Sequence, residues 1–146
     1  MKIGLVASHG GHLGQLQSLL RAFEGHEVFY ITYDSARTRA LPNVYFLSNF
    51  VFNPFSWIRS AWKIWKILRK EKPKCLVSTG AELAIPAFYL AKLLGIKTAY
   101  IESVSRVHEV SLTGKAVYPV TDLFLVQHPG ALGKAGKRAR FAGGLT

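Results

Sequence analysis

The stretch Lys2-Ile3-Gly4-Leu5-Val6-Ala7-Ser8-His9-Gly10-Gly11-His12 decides the fold, because it leads from an apolar segment through a glycine turn into a leucine-rich segment. Residues 2–7 are mostly aliphatic and predict a buried β-strand. Residues 12–22 repeat leucine at helical spacing and predict a helix. The leucines of its apolar stripe are Leu13, Leu16, Leu19 and Leu20.

The glycine turn between this strand and this helix is a candidate binding site. Gly10 and Gly11 permit a tight turn and a close approach of the backbone to a ligand. The free N–H groups and the positive dipole at the helix start suit a phosphate or another anion. The turn lacks the full G-x-G-x-x-G pattern, which argues against a dinucleotide. His12 adds an ionisable group at the mouth of the site.

The composition predicts one globular domain, residues 1–146, with an anionic partner. Hydrophobic residues make up 49% of the chain, enough for a substantial core. The formal net charge of +11 favours nucleic acid, an anionic membrane surface or a phosphorylated substrate. Glycine and basic residues concentrate in a tail from about residue 129 onward.

The cysteine and histidine content excludes several kinds of site. Cys75 is the single cysteine, which excludes a disulfide framework and a cysteine zinc site. Its apolar surroundings predict a buried thiol in a reducing compartment. The histidines are not grouped with carboxylates at metal-ligand spacing, so we expect no metal. We also expect no signal peptide and no membrane span, since no apolar run approaches the roughly 20 residues required.

Strands alternate with helices along the rest of the chain. We predict strands at residues 27–32, 44–47, 74–78, 97–101 and 122–126, and helices at about 55–72, 82–94 and 111–118. This order predicts a Rossmann-like, doubly wound α/β fold with a parallel sheet. The turns that carry His12, Thr79-Gly80 and Glu102 each follow a strand, so we expect them at the carboxyl edge of the sheet, where such folds bind ligands.

The predicted helix at 55–72 is amphipathic and rich in aromatic residues. Helical spacing predicts a core-facing stripe of Ile58, Ala61, Trp62, Trp65 and Leu68. A basic stripe is predicted opposite: Arg59, Lys63, Lys66 and Lys70. Further residues widen the apolar face or precede the helix: Trp57, Ile64, Ile67, Phe50, Phe52 and Phe55.

This helix has two open interpretations. It is either an ordinary amphipathic helix with a solvated basic face, or an interfacial helix that contacts an anionic membrane. The second interpretation assigns membrane contact to five residues: Trp57, Arg59, Lys63, Lys66 and Lys70. Nucleic acid is disfavoured, because base-stacking aromatics should be exposed beside basic residues, whereas these are predicted on the buried stripe.

Several stretches match one pattern in combination. They are residues 8–12 with the leucine helix, Ser78-Thr79-Gly80-Ala81, Ala91-Lys92-Leu93-Leu94-Gly95, Tyr100-Ile101-Glu102-Ser103 with Arg106, Ser111-Leu112-Thr113-Gly114-Lys115, and Asp122 with Val126-Gln127. Together they resemble the small bacterial polysaccharide-biosynthesis subunits of the asparagine-linked-glycosylation-fourteen-like family. The resemblance covers nearly the whole chain as far as Gln127. After Gln127, the chain has His128 where the family commonly has tryptophan.

The resemblance implies the N-terminal, acceptor-side half of a split GT-B glycosyltransferase. A separate chain would supply the half that binds the UDP-sugar donor, so no cofactor is expected on this chain. The implied acceptor is a sugar on a polyprenyl diphosphate, in exopolysaccharide, capsule or lipid-linked oligosaccharide synthesis. The implied location is cytoplasmic, as a peripheral protein on the cytoplasmic face of the inner membrane.

The resemblance also suggests roles for individual residues. His12 is the candidate general base that takes a proton from the acceptor hydroxyl, because histidine titrates near neutral pH. Glu102 would orient His12, bind an acceptor hydroxyl, or pair with Arg106. The remaining candidates for the acceptor and its phosphates are Gly10, Gly11, Thr79, Gly80 and Arg106. For Thr79 and Gly80, a purely structural turn is the open alternative.

Two other functions stay open from the sequence. The chain could be a non-catalytic subunit that recruits and activates the donor-binding chain, in which case His12 would matter less than the tail and the long helix. It could also be a free-standing domain that binds a nucleotide or a nucleic acid through its positive charge.

Overall fold

The computed structural model describes residues 1–48 and 53–144. These residues form seven strands: β1 Lys2–Val6, β2 Glu27–Tyr33, β3 Val44–Leu47, β4 Cys75–Ser78, β5 Lys97–Ile101, β6 Leu123–Val126 and β7 Ala139–Phe141. The strands make one parallel sheet in the order β3-β2-β1-β4-β5-β6-β7. The α-helices are α1 Gly11–Ser18, α2 Pro54–Glu71, α3 Ala84–Leu93, α4 Leu112–Val117 and α5 Leu132–Ala135.

The predicted doubly wound fold is confirmed, because helices cover both faces of this sheet. On one face, α2, α3 and α4 pack against the sheet around the buried residues Ile64, Phe88 and Tyr100. On the other face, α1 packs through Leu13 and Leu16. The strand order reverses between β1 and β4, which are direct neighbours. The turns after these two strands therefore meet at the switch point, where open α/β sheets bind ligands.

The predicted helix at 12–22 is too long. The α-helix ends at Ser18, and a 3₁₀ turn follows at Leu20–Phe23. The Leu19 N–H already bonds to the carbonyl of Leu16, the i−3 spacing of a tightened helix end. Leu13 and Leu16 are fully buried and Leu20 is exposed, while Leu19 and Phe23 pack against the same core cluster.

The predicted core face of α2 is correct only in part, because the buried face is rotated by about a third of a turn from the centre of the predicted stripe. Leu68 is buried as predicted, and so are Ile64 and Ile67, which were predicted to widen the apolar face. Ile58 and Trp62 are exposed, and Ser60 lies in the core instead, because small and aliphatic side chains pack closely against the sheet. Trp57 is half-buried against the same core. Phe50 and Phe52 lie outside the described residues.

The tail forms more structure than its composition indicates. Helix α5 and strand β7 lie within the glycine-rich and basic segment, and β7 pairs with β6 through the register Leu125 to Arg140. Arg138 fixes this segment by donating hydrogen bonds to the carbonyls of Thr121 and Tyr118. Asp122 accepts hydrogen bonds from the N–H and the hydroxyl of Thr98, which tie the start of β6 to β5.

Gly4 tests the packing at the centre of the sheet. A Cβ atom there would lie 2.4 Å from Leu76 Cδ2 and 2.8 Å from Phe29 Cζ, in a region without free volume. We expect Gly4→Ala to lower the free energy of unfolding by about 1–3 kcal/mol through overpacking. Urea denaturation measures this change. Gly133→Ala is the matched control, since a Cβ at Gly133 meets nothing within 4 Å, and a loss of stability no larger than the control's would contradict the packing account.

Candidate functional site

A cavity of about 560 Å³ lies at the switch point, beyond the carboxyl ends of β1, β4 and β5. The start of α1 and the turn after β4 form one side of it, and the segment from the end of β5 to the start of α4 forms the other. Its lining consists of Gly11, His12, Gln15, Ala81, Glu82, Tyr100, Ser103, Val104, Ser105, Arg106, Ser111, Leu112 and Thr113. The cavity therefore brings together residues from each of the three turns that the sequence singled out.

His12 is held by reciprocal hydrogen bonds to the turn after β4. Its ring Nδ1 lies 2.9 Å from the carbonyl oxygen of Thr79, and the Thr79 hydroxyl donates to the His12 carbonyl at 2.5 Å. A carbonyl oxygen can only accept, so Nδ1 carries the proton of this bond. In the neutral imidazole the lone pair is then on Nε2, the nitrogen that can accept a proton from a ligand.

Gly80 allows the histidine ring to lie against the backbone of this turn. Its φ of +132° favours glycine, and a Cβ atom would lie 2.6 Å from Cε1 of the His12 ring. The Thr79 side chain is fully buried. Thr79 and Gly80 therefore position His12, which corresponds to the structural of the two roles that the sequence left open for them.

Gly10 and Gly11 leave open space at the start of α1. Gly10 caps the helix with a φ of −97°, and a Cβ atom at either glycine would meet nothing within 4 Å. Neither glycine is therefore required by a left-handed backbone or by packing. Their lack of side chains keeps the first N–H groups of α1 accessible to a ligand.

The structure gives Glu102 partners other than His12. Glu102 is 1% exposed; its Oε1 accepts from the Ser103 N–H, and its Oε2 accepts from both the N–H and the hydroxyl of Ser111. These bonds fix the segment between β5 and α4. The predicted contact with His12 is therefore not formed, because three donors from its own segment satisfy this buried carboxylate. The alternative pairing with Arg106 is not formed either, since the ion pair of Arg106 is with Glu109, at 2.9 Å.

Arg106 lies at the cavity with part of its guanidinium engaged. The Nη1 group donates to Glu109, and both side chains of this pair are partly exposed, so the ion pair contributes little to stability. An arginine presents five N–H donors in a planar fork that suits phosphate. Arg106 can therefore exchange its partner for a phosphate of a bound ligand.

Gln15 lines the cavity and Gln127 supports it from behind, and the sequence suggested no site role for either residue. Gln15 Oε1 accepts from the Val104 N–H at 3.2 Å and from Gln127 Nε2 at 2.8 Å. Gln127 Nε2 also donates to the Glu102 carbonyl at 3.0 Å. This network fixes the cavity segment after β5 against α1. The sequence feature that could have indicated Gln15 is its position as an amide residue between the apolar positions Leu13 and Leu16 of a leucine-rich helix.

The outward face of α2 carries apolar and basic side chains together. Phe55, Ile58 and Trp62 are 78%, 69% and 60% exposed. The Lys66 ammonium lies 5.5 Å from the centre of the Trp62 ring, a cation–π arrangement. Burial of the aromatic residues therefore gives no reason to exclude nucleic acid, since Trp62 is exposed beside a lysine.

The other predicted contact residues of α2 are placed differently from Trp62. Arg59 is exposed on the outward face. Lys63 donates to the Phe46 carbonyl, and Lys70 lies 5.7 Å from the ring centre of Tyr45, so both are directed toward β3. Among the described residues, no helix is long and apolar enough to cross a membrane. The same part of the chain contains no group of three or more His, Cys, Asp or Glu that could hold a metal ion.

Comparisons with known proteins give a consistent result. A family profile described as "Oligosaccharide biosynthesis protein Alg14 like" matches residues 27–145. The human protein named UDP-N-acetylglucosamine transferase subunit ALG14 is 31% identical over 81 residues, which cover 51% of this chain and 38% of that protein. A Nitrosomonas europaea protein named UDP-N-acetylglucosamine--N-acetylmuramyl-(pentapeptide) pyrophosphoryl-undecaprenol N-acetylglucosamine transferase is 30% identical over 97 residues, which cover 66% of this chain and 26% of that protein.

Solved structures share the fold. The crystal structure of Acinetobacter baumannii MurG superposes on 97% of this chain with a TM-score of 0.80, at 16% identity, and 46% of that protein is covered. The UDP-N-acetylglucosamine 2-epimerase of Rickettsia bellii superposes on 99% of this chain with a TM-score of 0.77, at 13% identity and 45% coverage of that protein. The fold is that of the N-terminal half of a GT-B protein, as predicted. The chain spans less than half the length of each of these relatives.

The His12 tautomer is directly testable. Because Thr79 accepts the proton of Nδ1, we expect neutral His12 to be protonated on Nδ1 and unprotonated on Nε2. Long-range ¹H–¹⁵N correlation spectra distinguish the two ring nitrogens. Exposed His26 serves as an internal reference, and a neutral His12 protonated on Nε2 would contradict the assignment.

Proposed function

Because the chain belongs to the Alg14-like family of oligosaccharide-biosynthesis proteins, we propose that it is the acceptor-binding subunit of a two-chain, UDP-sugar-dependent glycosyltransferase. It binds a sugar carried on a polyprenyl diphosphate and associates with the membrane that holds this lipid. One observation carries the proposal: His12, in the cavity at the switch point, keeps its Nε2 lone pair for a substrate proton because Nδ1 is committed to Thr79.

The proposed reaction is the transfer of the donor sugar to an acceptor hydroxyl. The hydroxyl oxygen attacks the anomeric carbon, the bond from this carbon to the UDP oxygen breaks, and UDP leaves with the bonding electrons. His12 Nε2 takes the hydroxyl proton as general base. Arg106 and the open N–H groups at the start of α1 bind the acceptor diphosphate, as a guanidinium and a helix N-terminus both favour phosphate oxygens. No step requires a metal or another cofactor.

The donor-binding half is proposed to be a separate chain. The human relative is named as a transferase subunit, and this chain corresponds to 46% of the solved MurG. A partner of complementary fold would place the UDP-sugar above the carboxyl edge of the sheet, opposite His12. In this arrangement, the general base and the donor site would lie on different polypeptides.

The outward face of α2 is the proposed membrane contact. Phe55, Ile58 and Trp62 would insert into the interface while Arg59 and Lys66 meet anionic headgroups, as in amphipathic interfacial helices. Trp57, Lys63 and Lys70 flank this surface and contribute less, since their side chains pack against the core or β3. The proposed location is the cytoplasmic face of the inner membrane, where a lipid-linked acceptor and a soluble UDP-sugar would meet.

His12→Ala tests the catalytic role. We expect the variant to keep its fold and its complex with the donor-binding chain while losing at least about a hundredfold in transfer, the usual contribution of a general base. The assay combines co-purification of the two chains with sugar transfer to a polyprenyl-diphosphate-linked acceptor. His26→Ala is the control, because His26 is exposed and bonds to the chain terminus.

Two results would contradict this part of the proposal. Unchanged turnover in His12→Ala would show that the chain recruits or activates the other subunit without supplying the base. The absence of a complex with any donor-binding chain would remove the two-chain arrangement itself.

Substitutions on α2 test the membrane contact. We expect Trp62→Ala to weaken binding to anionic phospholipid vesicles by roughly tenfold, through the loss of inserted apolar surface. Lys66→Gln should weaken it by about fivefold, since one basic residue near an anionic surface contributes about 1 kcal/mol. Vesicle co-sedimentation measures both.

Arg21→Gln is the control for this experiment, because it removes the same charge from an exposed position on the 3₁₀ turn that follows α1. Equal losses for Lys66→Gln and Arg21→Gln would indicate a general charge effect. Salt-sensitive binding to nucleic acid without binding to anionic vesicles would favour the nucleic-acid alternative instead.

A further inference from the structure

The cavity lining includes a carboxylate, Glu82, whose role the sequence does not indicate. We propose that Glu82, positioned by the Tyr33 hydroxyl, accepts a hydrogen bond from a hydroxyl of the acceptor sugar beside His12. This inference rests on the proposed function, since it requires that the cavity bind a sugar acceptor. The inference gives Glu82 the role of binding a hydroxyl of the acceptor sugar, which the sequence suggested for Glu102.

Glu82 shares the cavity with His12 because of the turn after β4. The His12 ring lies against Gly80 of this turn, Thr79 to Ala81, and Glu82 follows the turn two residues before α3 begins. Among the described residues that line the cavity, Glu82 is the only one with a carboxylate. A ligand bound next to His12 in this cavity thus meets one acidic side chain of the lining, that of Glu82.

Tyr33 holds Glu82 from the opposite side of β1. Strands β2 and β4 flank β1 in the sheet, and the Tyr33 side chain at the end of β2 crosses the end of β1 to donate its hydroxyl proton to Glu82 Oε1. Tyr33 is 5% exposed. Burial, followed by the bond to Glu82, raises the pKa of Tyr33 well above its ordinary range, so the hydroxyl stays a donor.

The second oxygen of Glu82 is the proposed ligand atom. In the described part of the chain, Oε1 accepts from Tyr33, whereas Oε2 has no hydrogen-bond partner. Glu102 differs, because both of its oxygens accept from its own segment and its side chain is buried. A carboxylate only accepts, and sugar hydroxyls are donors, so the charge-assisted bond to Glu82 is stronger than one between neutral groups.

Glu82→Gln is the first test, in the complex with the donor-binding chain. Glutamine keeps the size of the side chain and can still accept from Tyr33, but it loses the charge that strengthens the bond to the sugar. We expect the KM for the lipid-linked acceptor to rise about tenfold, as for the loss of a charged hydrogen bond, while the KM for the UDP-sugar changes less than about twofold. Glu24→Gln, at an exposed position, is the matched control.

Tyr33→Phe is the second test and separates positioning from charge. This variant keeps the Glu82 carboxylate but removes the hydroxyl that holds it, so the acceptor KM should rise about three- to fivefold at an unchanged UDP-sugar KM. If Glu82→Gln does not fold, the result for Tyr33→Phe decides. A merely structural role would lower stability without raising the acceptor KM selectively.

The outcomes separate this inference from the proposed function. Transfer by the wild-type pair, with the acceptor KM unchanged in both variants or with both KM values raised equally, overturns the role of Glu82 and leaves the proposed function standing. Absence of transfer by the wild-type pair overturns the proposed function, and the role of Glu82 with it. A selective rise in the acceptor KM supports both.

Discussion

The site depends on the paired hydrogen bonds between His12 and Thr79, which connect the turns after β1 and β4. Two neighbouring parallel strands leave their next segments on opposite sides of the sheet, so a cavity opens between them. The two hydrogen bonds between His12 and Thr79 fix the width of this cavity, because each side chain bonds to the backbone of the other residue. It also commits Nδ1 of the histidine, so a structural bond determines which nitrogen remains for chemistry.

The second constraint is that two carboxylates at the carboxyl edge of the sheet, Glu102 and Glu82, have different surroundings. Glu102 is buried and bonded three times to its own segment, so it organises the start of α4 and keeps the cavity wall in place. Glu82 is bonded once, by Tyr33, and lines the cavity. The contrast follows from burial and from the number of nearby donors: Glu102 is 1% exposed and both of its oxygens accept from its own segment, whereas Glu82 lines the cavity with one oxygen that accepts from Tyr33.

The sequence predicted the sheet because apolar runs bounded by turn residues are strong signals, and it located the site because parallel strands end at one edge. It predicted the buried face of α2 only in part: Ile64, Ile67 and Leu68 are buried, but Trp62, which the aromatic pattern placed in the core, is exposed, and Ser60 is buried instead. Strand β7 was missed because its glycine-rich and basic surroundings resemble a loop. The pairing of Tyr33 with Glu82 joins residues 49 positions apart, and spacing along the chain carries no signal for it.

The central claim is that the cavity beside His12 binds the lipid-linked acceptor. The most direct measurement is an NMR titration of the ¹⁵N-labelled chain with a short-chain prenyl-diphosphate-linked sugar, with the prenyl diphosphate alone as a reference. The account predicts saturable shifts of the Gly11, His12 and Arg106 amides, with a further shift at Glu82 only when the sugar is present. Shifts confined to β7 and the tail, or identical shifts with free inorganic diphosphate, would contradict it.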